Sequence, residues 1–185
     1  MKVVLIQPPS QNQPLKVPPL GLAYLAAVLK ENNIAVKILD LTVENTPLDT
    51  YLSKEKPDII GVSAMLTNAR NAFEVTKQAK QALPKSFVVM GGAYPSMMGA
   101  SLLARHSEVD AVVVGEADYS FHKLVYQLQN NKKLDTVDGL VFRDNNTIKT
   151  NSPPKPISPL DLIPYPARDE LKMGLYGENA GVIFT

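Results

Sequence analysis

Short, mostly apolar runs alternate along residues 1–130 with longer segments in which apolar residues recur at helical spacing. Runs of this kind are typical of strands that are buried on both faces of a sheet. The predicted strands lie at 3–6, 35–41, 59–63, 87–90 and 111–114. The predicted helices lie at 20–30, 47–54, 68–83, 98–106 and 118–129. This alternation predicts the α/β class, with a doubly wound (flavodoxin-like or Rossmann-like) five-stranded parallel sheet that carries helices on both faces.

After residue 130 the pattern changes. Residues 139–143 and 147–150 flank an Asn-rich turn and predict a β-hairpin. Prolines then concentrate over 153–166, which predicts an extended linker. The last residues, 181–185, resemble the first strand of another domain. The expected organisation is an α/β domain at 1–130, a hairpin extension at 131–152, and a linker at 153–185 that leads into a truncated second domain.

Composition limits the functions of this chain. Lysine and arginine number 19 against 18 acidic residues, so no net field attracts nucleic acid or anionic lipid. The absence of cysteine excludes disulfides, thiolate zinc sites and thiolate-held iron–sulfur clusters within these residues. The longest apolar stretch, around 22–29, is far too short to cross a bilayer. We therefore expect a cytoplasmic protein with no nucleic-acid partner and no membrane partner.

Small and polar residues gather in the loops that follow the predicted strands. In open α/β sheets, ligands bind beyond the carboxyl ends of the strands, where the strand order reverses. Four loops converge there, at 7–14, 63–67, 91–94 and 115–118. The pair Gly91-Gly92 allows close approach of the backbone to a ligand, because glycine has no Cβ. One such turn alone is only a tight connection, but the four together favour a small-ligand site.

Three ligand-binding patterns of doubly wound proteins do not fit these loops. A dinucleotide site needs G-x-G-x-x-G after the first strand, where this chain has Gln7-Pro8-Pro9. The sequence contains no phosphate-loop lysine motif. A receiver domain needs an aspartate at the end of the third strand, where Ser63 stands. Asp40 closes the second strand as a ribose-binding acid would, but without the glycine loop we interpret it as a solvated strand end.

A serine after the third strand and a glycine pair after the fourth resemble the pattern of cobalamin-binding domains. Ser63 and Gly91-Gly92 match the S-x-L and G-G elements of that family, with Met65 in the leucine position. The resemblance implies a groove for the nucleotide tail of the cofactor, with the corrin ring across the strand ends. The family's D-x-H-x-x-G motif, whose histidine binds cobalt, is missing. The resemblance therefore implies base-off cobalamin without a histidine ligand.

The histidine-free first loop occurs together with further motifs. These are QPP at 7–9, PPLGLAYLA at 18–26, PDIIGVS at 57–63, GGAYPS at 91–96 and VGEAD at 114–118. The combination resembles the N-terminal domain of cobalamin-dependent radical S-adenosylmethionine (SAM) enzymes, the group of the anaerobic magnesium-protoporphyrin IX monomethyl ester cyclase. Family members usually read G-G-x-H and G-E-G-E, where this chain has Tyr94 and Ala117-Asp118.

This resemblance implies that a radical SAM barrel follows in the full-length protein, with a three-cysteine [4Fe–4S] motif and bound S-adenosylmethionine. The full enzyme would be a methyltransferase or an oxidative cyclase. The residues of this chain would hold cobalamin and would not catalyse by themselves. The expected partners are cobalamin and the C-terminal radical SAM domain.

The cofactor-binding residues implied by the resemblance lie in the four loops. Ser63 and Thr67 are candidates for polar contacts to the tail, and Met65 and Leu66 for cover of the lower cobalt face. The full candidate set is Gln7, Pro8, Pro9, Ser63, Ala64, Met65, Leu66, Thr67, Gly91, Gly92, Ala93, Tyr94, Gly115 and Glu116. No catalytic and no metal-ligating residue is predicted.

Other interpretations of the same residues remain open. His106 and His122 are interpreted as packing or surface side chains. The groove could instead hold a flavin mononucleotide or another nucleotide, which would make the chain a binding module of a different kind. The site could also be degenerate, so that the domain only packs against its catalytic partner.

Overall fold

The computed structural model describes residues 1–10, 16–145 and 147–181. The strands are β1 (Lys2–Gln7), β2 (Ala35–Asp40), β3 (Ile59–Ser63), β4 (Phe87–Gly91), β5 (Ala111–Val113), β6 (Leu140–Asp144) and β7 (Thr147–Thr150). The α-helices are α1 (Leu20–Glu31), α2 (Leu48–Glu55), α3 (Ala69–Ala82), α4 (Ala93–Met98), α5 (Ala100–Arg105) and α6 (Asp118–Gln129). The seven strands form a sheet in the order β2-β1-β3-β4-β5-β6-β7. Strands β1 to β5 run parallel to one another, whereas β6 is antiparallel to β5 and β7 is antiparallel to β6.

Helices cover both faces of the sheet because successive strand side chains point to opposite sides. On one face, Leu22 of α1 and Phe121 of α6 belong to the same buried cluster as Leu5 of β1. On the other face, Leu52 of α2 packs in a cluster with Ile60 of β3, to which α3 and α5 also contribute. The strands between these two layers are buried on both sides, which explains their nearly continuous apolar character.

The predicted doubly wound sheet is confirmed, and so is the hairpin. The first strand of the hairpin pairs with β5, so the hairpin extends the five parallel strands into a mixed seven-stranded sheet. The helix predicted at 98–106 is confirmed as α5, which is shorter at both ends, whereas α4 before it was not predicted. Gly99, with a φ of 49°, ends α4 in a left-handed conformation, and α5 starts in a new direction after it.

Residues 11–14 of the first loop and 182–185 of the expected last strand lie outside the described residues. The domain boundaries near 130 and 152 stay predictions. Within the described ranges, no helix is both long enough and apolar enough to cross a membrane.

The chain after β7 returns to the first helix. The amide of Ala167 donates a hydrogen bond to the carbonyl oxygen of Ala23 in α1, at 2.9 Å. Leu171 and Tyr176 are buried in the cluster on the α1 and α6 face. The end of the predicted linker is therefore packed against the α/β domain, although Tyr165 within it is 95% exposed.

Candidate functional site

A cavity of about 560 Å³ opens at the carboxyl ends of the parallel strands. It lies where the strand order reverses, since β1 sits between β2 and β3. Gln7 at the end of β1, Ser63 at the end of β3 and Gly91 at the end of β4 form its upper layer. Ser63 and Gly91 are direct neighbours in the register of β3 and β4.

The cavity continues downward between the sheet and the α1–α6 layer. Its deeper layer includes Gly61 and Val89, which are also register neighbours, and Val113 of β5. Leu25 of α1 and Phe121 of α6 face this layer. Gly61 presents no side chain there, and a Cβ on it would lie 2.8 Å from Leu5 Cδ2 and 3.5 Å from Phe121 Cζ. The glycine in mid-strand therefore lets Leu5 and Phe121 pack close to the strand, at the lower end of the cavity.

The two glycines of the pair have different surroundings. A Cβ built on Gly91 would meet only the carbonyl oxygen of Val113, at 3.9 Å, so the space beside it is open to the cavity. Gly92 has a φ of 100°, and a Cβ on it would lie 2.6 Å from the carbonyl oxygen of Ala64. Gly91 thus leaves room for a ligand, whereas Gly92 is required mainly by the close contact with the β3–α3 loop.

The β3–α3 loop is held by its own hydrogen bonds. The side-chain oxygen of the buried Asn68 accepts the amide of Met65, at 2.8 Å. The amide of Ala64 donates to the carbonyl oxygen of Gly91, at 2.8 Å. Within the described residues the Ser63 hydroxyl has no hydrogen-bond partner, although Ser63 lines the cavity. This loop therefore presents a free polar group from a fixed backbone.

The mouth of the cavity is acidic. Glu116 and Asp118 line it, and none of the described residues that line it is a lysine or an arginine. Burial raises the pKa of Asp118 above its ordinary value; a hydrogen bond from the backbone opposes this in part, and the Glu116 carboxylate adds a smaller increase. The amino-terminal ends of α1 and α6 also open here, at Leu20 and Asp118. Backbone amides at helix ends can donate to an acceptor group on a ligand, but in α1 those of Leu20 and Leu22 already donate to the carbonyl oxygens of Pro18 and Pro19.

The structure brings together half of the candidate set. The residues that line the cavity are Gln7, Ser63, Met65, Gly91, Gly92, Gly115 and Glu116. Those outside its lining are Pro8, Pro9, Ala64, Leu66, Thr67, Ala93 and Tyr94. Ala64 is fully buried, and the Tyr94 ring packs edge-on against Phe73, with ring centroids 6.0 Å apart. Leu66 is 74% exposed at the tip of its loop. Their contacts to a cofactor stay predictions.

Most of the apolar wall was not among the candidates. The lining residues that sequence reasoning missed are Val17, Pro18, Pro19, Leu20, Gly21, Leu22, Tyr24, Leu25, Thr42, Gly61, Val62, Val89, Met90, Val113, Ala117, Asp118 and Phe121. The motif at 18–26 was a usable signal for the lining residues between 18 and 25, because a proline pair before an apolar helix fixes where that helix begins. The deeper positions resemble ordinary strand and helix core.

The interpretation of Asp40 as a solvated strand end is wrong. Asp40 is 1% exposed. Its carboxylate accepts the hydroxyls of Thr42 and Tyr176, at 2.6 and 2.7 Å, which satisfies its oxygens inside the protein.

The histidines lie outside the cavity lining. His106 stacks on Phe73, with ring centroids 3.8 Å apart, and its Nδ1 lies 3.1 Å from a carboxylate oxygen of Glu108. His122 is half-buried on α6, and burial lowers its pKa. Across the described ranges, no cluster of three or more histidine, cysteine or acidic residues is arranged to hold a metal ion.

The cavity is a slot between the sheet and the α1–α6 layer, and it opens at the carboxyl ends of the parallel strands. A model of the B12 binding domain family matches residues 11–125. This chain belongs to the B12-binding domain family. The chain is 35% identical, over all of its length, to an uncharacterized methyltransferase of Pyrococcus horikoshii, and covers 42% of that protein. It is 27% identical over 99% of its length to the anaerobic magnesium-protoporphyrin IX monomethyl ester cyclase of Synechocystis, and covers 39% of it.

Solved structures show the same fold. The cobalamin-dependent S-adenosylmethionine radical enzyme OxsB, with aqua-cobalamin and S-adenosylmethionine bound, superposes with a TM-score of 0.79 at 24% identity, over 94% of this B12-binding domain and 25% of OxsB. The domain is thus homologous to the N-terminal domains of cobalamin-dependent radical SAM enzymes, among them methyltransferases and the cyclase. It spans about two fifths of the length of the relatives it matches.

Proposed function

We propose that this domain binds cobalamin base-off, with the nucleotide tail in the slot and the corrin ring over the ends of β1, β3 and β4. The observation that carries the proposal is the slot itself. Gly61 and Gly91 both line it on the same face of adjacent strands, and the space beside Gly91 is open, whereas Leu5 and Phe121 pack close to Gly61 below it. An aromatic base would fit between Val89, Leu25 and Phe121, which offer apolar surface below the polar rim.

The upper layer suits the polar parts of the same cofactor. The Ser63 hydroxyl and the Gln7 side chain are candidates for hydrogen bonds to the tail, and the amino-terminal amides of α6 for contacts to its phosphate. Glu116 and Asp118 would accept hydrogen bonds from the carboxamide groups of the corrin ring. Cobalamin supplies the reactive cobalt centre when bound, and these residues bind and orient it.

The position of the histidines supports binding without a protein ligand on cobalt. Neither His106 nor His122 lines the cavity, and the first loop contains no histidine. Met65, in the loop after β3, has a thioether that could reach cobalt, but a thioether is a weak ligand. We propose that it covers the lower face of the ring rather than binding the metal.

The acidic mouth weighs against the alternative ligands. A flavin mononucleotide or another nucleotide brings a doubly charged phosphate or more, and such sites normally supply cations or a glycine-rich phosphate loop. This cavity has two carboxylates at its mouth and no cation among its described lining residues. Cobalamin carries a single phosphodiester charge, balanced by cobalt, and many neutral amides.

We further propose that the whole protein is a radical SAM enzyme, either a methyltransferase or an oxidative cyclase. The support is that relatives with both printed activities align over nearly the whole domain. The [4Fe–4S] cluster and S-adenosylmethionine would belong to the other domain. A degenerate domain that only packs against its partner is the remaining alternative, and the open slot argues against it.

The test is a titration of the purified chain with hydroxocobalamin, cobinamide (which lacks the nucleotide tail) and flavin mononucleotide, followed by visible spectroscopy. Reduction to cob(II)alamin and electron paramagnetic resonance then reports the axial ligand. We expect binding of cobalamin, weaker binding of cobinamide, and no nitrogen splitting from an axial ligand. Folded protein that retains no cobalamin, that prefers the flavin, or that shows axial nitrogen would refute the proposal.

A further inference from the structure

Asp40, at the carboxyl end of β2, is a buried carboxylate that joins two distant parts of the chain. Its Oδ1 accepts hydrogen bonds from the amide and the hydroxyl of Thr42, at 2.9 and 2.6 Å. Its Oδ2 accepts the hydroxyl of Tyr176, at 2.7 Å. Asp40 is 1% exposed and Tyr176 is 3% exposed, so these charge-assisted bonds form away from water.

Thr42 is a lining residue of the cavity, so one end of this connection is at the proposed cofactor site. The neighbouring strand reinforces the link. Gln7 is the register partner of Asp40 and lines the same cavity, and its carbonyl oxygen accepts the amide of Leu41 at 2.9 Å. The position of the rim at Thr42 therefore depends on the Asp40 carboxylate.

Tyr176 is at the other end, in the segment 167–176 that follows the proline-rich stretch. Burial, and next the bond to Asp40, raise the pKa of Tyr176, so its hydroxyl stays protonated and donates. Lys172 pairs with Glu44 at 2.5 Å, and Glu44 in turn accepts the amide of Asp40 at 3.2 Å. Two residues of the segment thus attach to one turn after β2.

We propose that Asp40 is a positioning residue that couples the cavity rim at Thr42 to the docked C-terminal segment at Tyr176. Docking of the segment holds Thr42 in place, and a ligand that uses the rim in turn stabilises the docked segment. The coupling must be reciprocal, because both events share one carboxylate. The effect of a ligand on the docked segment rests on the proposed function, whereas the link between Tyr176 and Thr42 does not.

The first experiment needs no ligand. Amide hydrogen exchange by NMR is measured for Tyr176→Phe and for the control Tyr165→Phe, whose side chain lies just before the segment and is solvent-exposed. We expect the Thr42 amide to exchange about tenfold faster in Tyr176→Phe, as for loss of one hydrogen bond to a charged group, relative to amides of β4. In Tyr165→Phe the Thr42 amide should exchange at the wild-type rate. A Thr42 amide that behaves alike in both variants overturns the inference.

The second experiment adds hydroxocobalamin to the wild type and to Thr42→Val. Binding should slow exchange at 167–176 in the wild type and much less in Thr42→Val. Binding without any slowing at 167–176 overturns the coupling but leaves the proposed function intact. If cobalamin does not bind, the proposed function fails, and the first experiment alone decides the role of Asp40.

Discussion

The backbone of Gly92 lies directly against the backbone of Ala64. A Cβ at position 92 would be 2.6 Å from the Ala64 carbonyl oxygen and 3.2 Å from its nitrogen. The amide of Tyr94 donates to the same oxygen at 3.2 Å, and the amide of Ala64 donates to Gly91. The loops after β3 and β4 are therefore fastened to each other, and the second glycine of the pair is what allows it.

Gly92→Ala should destabilise the fold by about 2 to 4 kcal/mol, because it combines a left-handed φ with overlap against the backbone. Urea unfolding measures the change. Gly21→Ala is the control, since nothing lies within 4 Å of a Cβ there and Gly21 is in α1; it should change stability by no more than about 1 kcal/mol. Equal effects of the two substitutions would contradict this account of Gly92.

Gly91→Leu should leave the fold intact and fill the slot, because its Cβ would meet only one atom, at 3.9 Å. We expect hydroxocobalamin to bind at least about tenfold more weakly, a loss of about 1.4 kcal/mol. Cobinamide, without the tail, should bind as it does to the wild type. Absorbance titrations measure both ligands.

The control for this substitution is Gly174→Leu, because a Cβ at Gly174 has nothing within 4 Å and Gly174 does not line the cavity. It should bind cobalamin as the wild type does. If Gly91→Leu weakened cobalamin and cobinamide equally, the tail would not occupy the space beside Gly91.

The sheet could be predicted because its signal is local. Each buried strand is a short apolar run, and each crossover helix has its own periodicity, so the alternation shows the class without long-range contacts. The short helix α4 before Gly99 was not predicted, because a glycine does not reveal its φ in the sequence and so does not show that one helix ends there and another begins. Only the packing of two short helices on the sheet makes that angle necessary.

The rim of the site could also be predicted, but its depth could not. Ser63 and Gly91 follow strands, and strand ends are where ligands bind. Gly61 resembles an ordinary core position in sequence, and it is part of the slot only because Val89 lies beside it and Phe121 faces it from a helix far along the chain. Asp40 was misread for the same reason, since its partner Tyr176 is distant in sequence.

Asn68→Ala should cost about 1 to 3 kcal/mol, because it leaves the amide of Met65 without its acceptor in a partly buried loop. It should also loosen Met65 and weaken cobalamin binding. Asn130→Ala is the matched control, since the Asn130 side chain bonds a carbonyl at the exposed end of α6; its effect should be within about 0.5 kcal/mol. If the two variants had the same unfolding curve, Asn68 would not stabilise the β3–α3 loop.

His122 makes the stability of the domain depend on pH. Burial lowers its pKa below the ordinary value of 6.5, so the folded state disfavours the charged ring. The unfolded chain therefore binds the proton more readily, and the contribution of His122, complete above 6.5, is lost as the pH falls through 6.5 to the folded pKa. Stability should fall between pH 7 and pH 5 more steeply in the wild type than in His122→Gln.

Two measurements check this pH dependence. Urea unfolding of both proteins across that range gives the difference in slope, and NMR titration of the His122 ring gives its midpoint in the folded state. A midpoint at or above 6.5 would contradict the effect of burial, because a half-buried imidazole without an acidic partner has no reason to hold its proton more tightly than in water. Parallel stability curves with a lowered midpoint would instead mean that residual structure lowers the pKa in the unfolded chain as well.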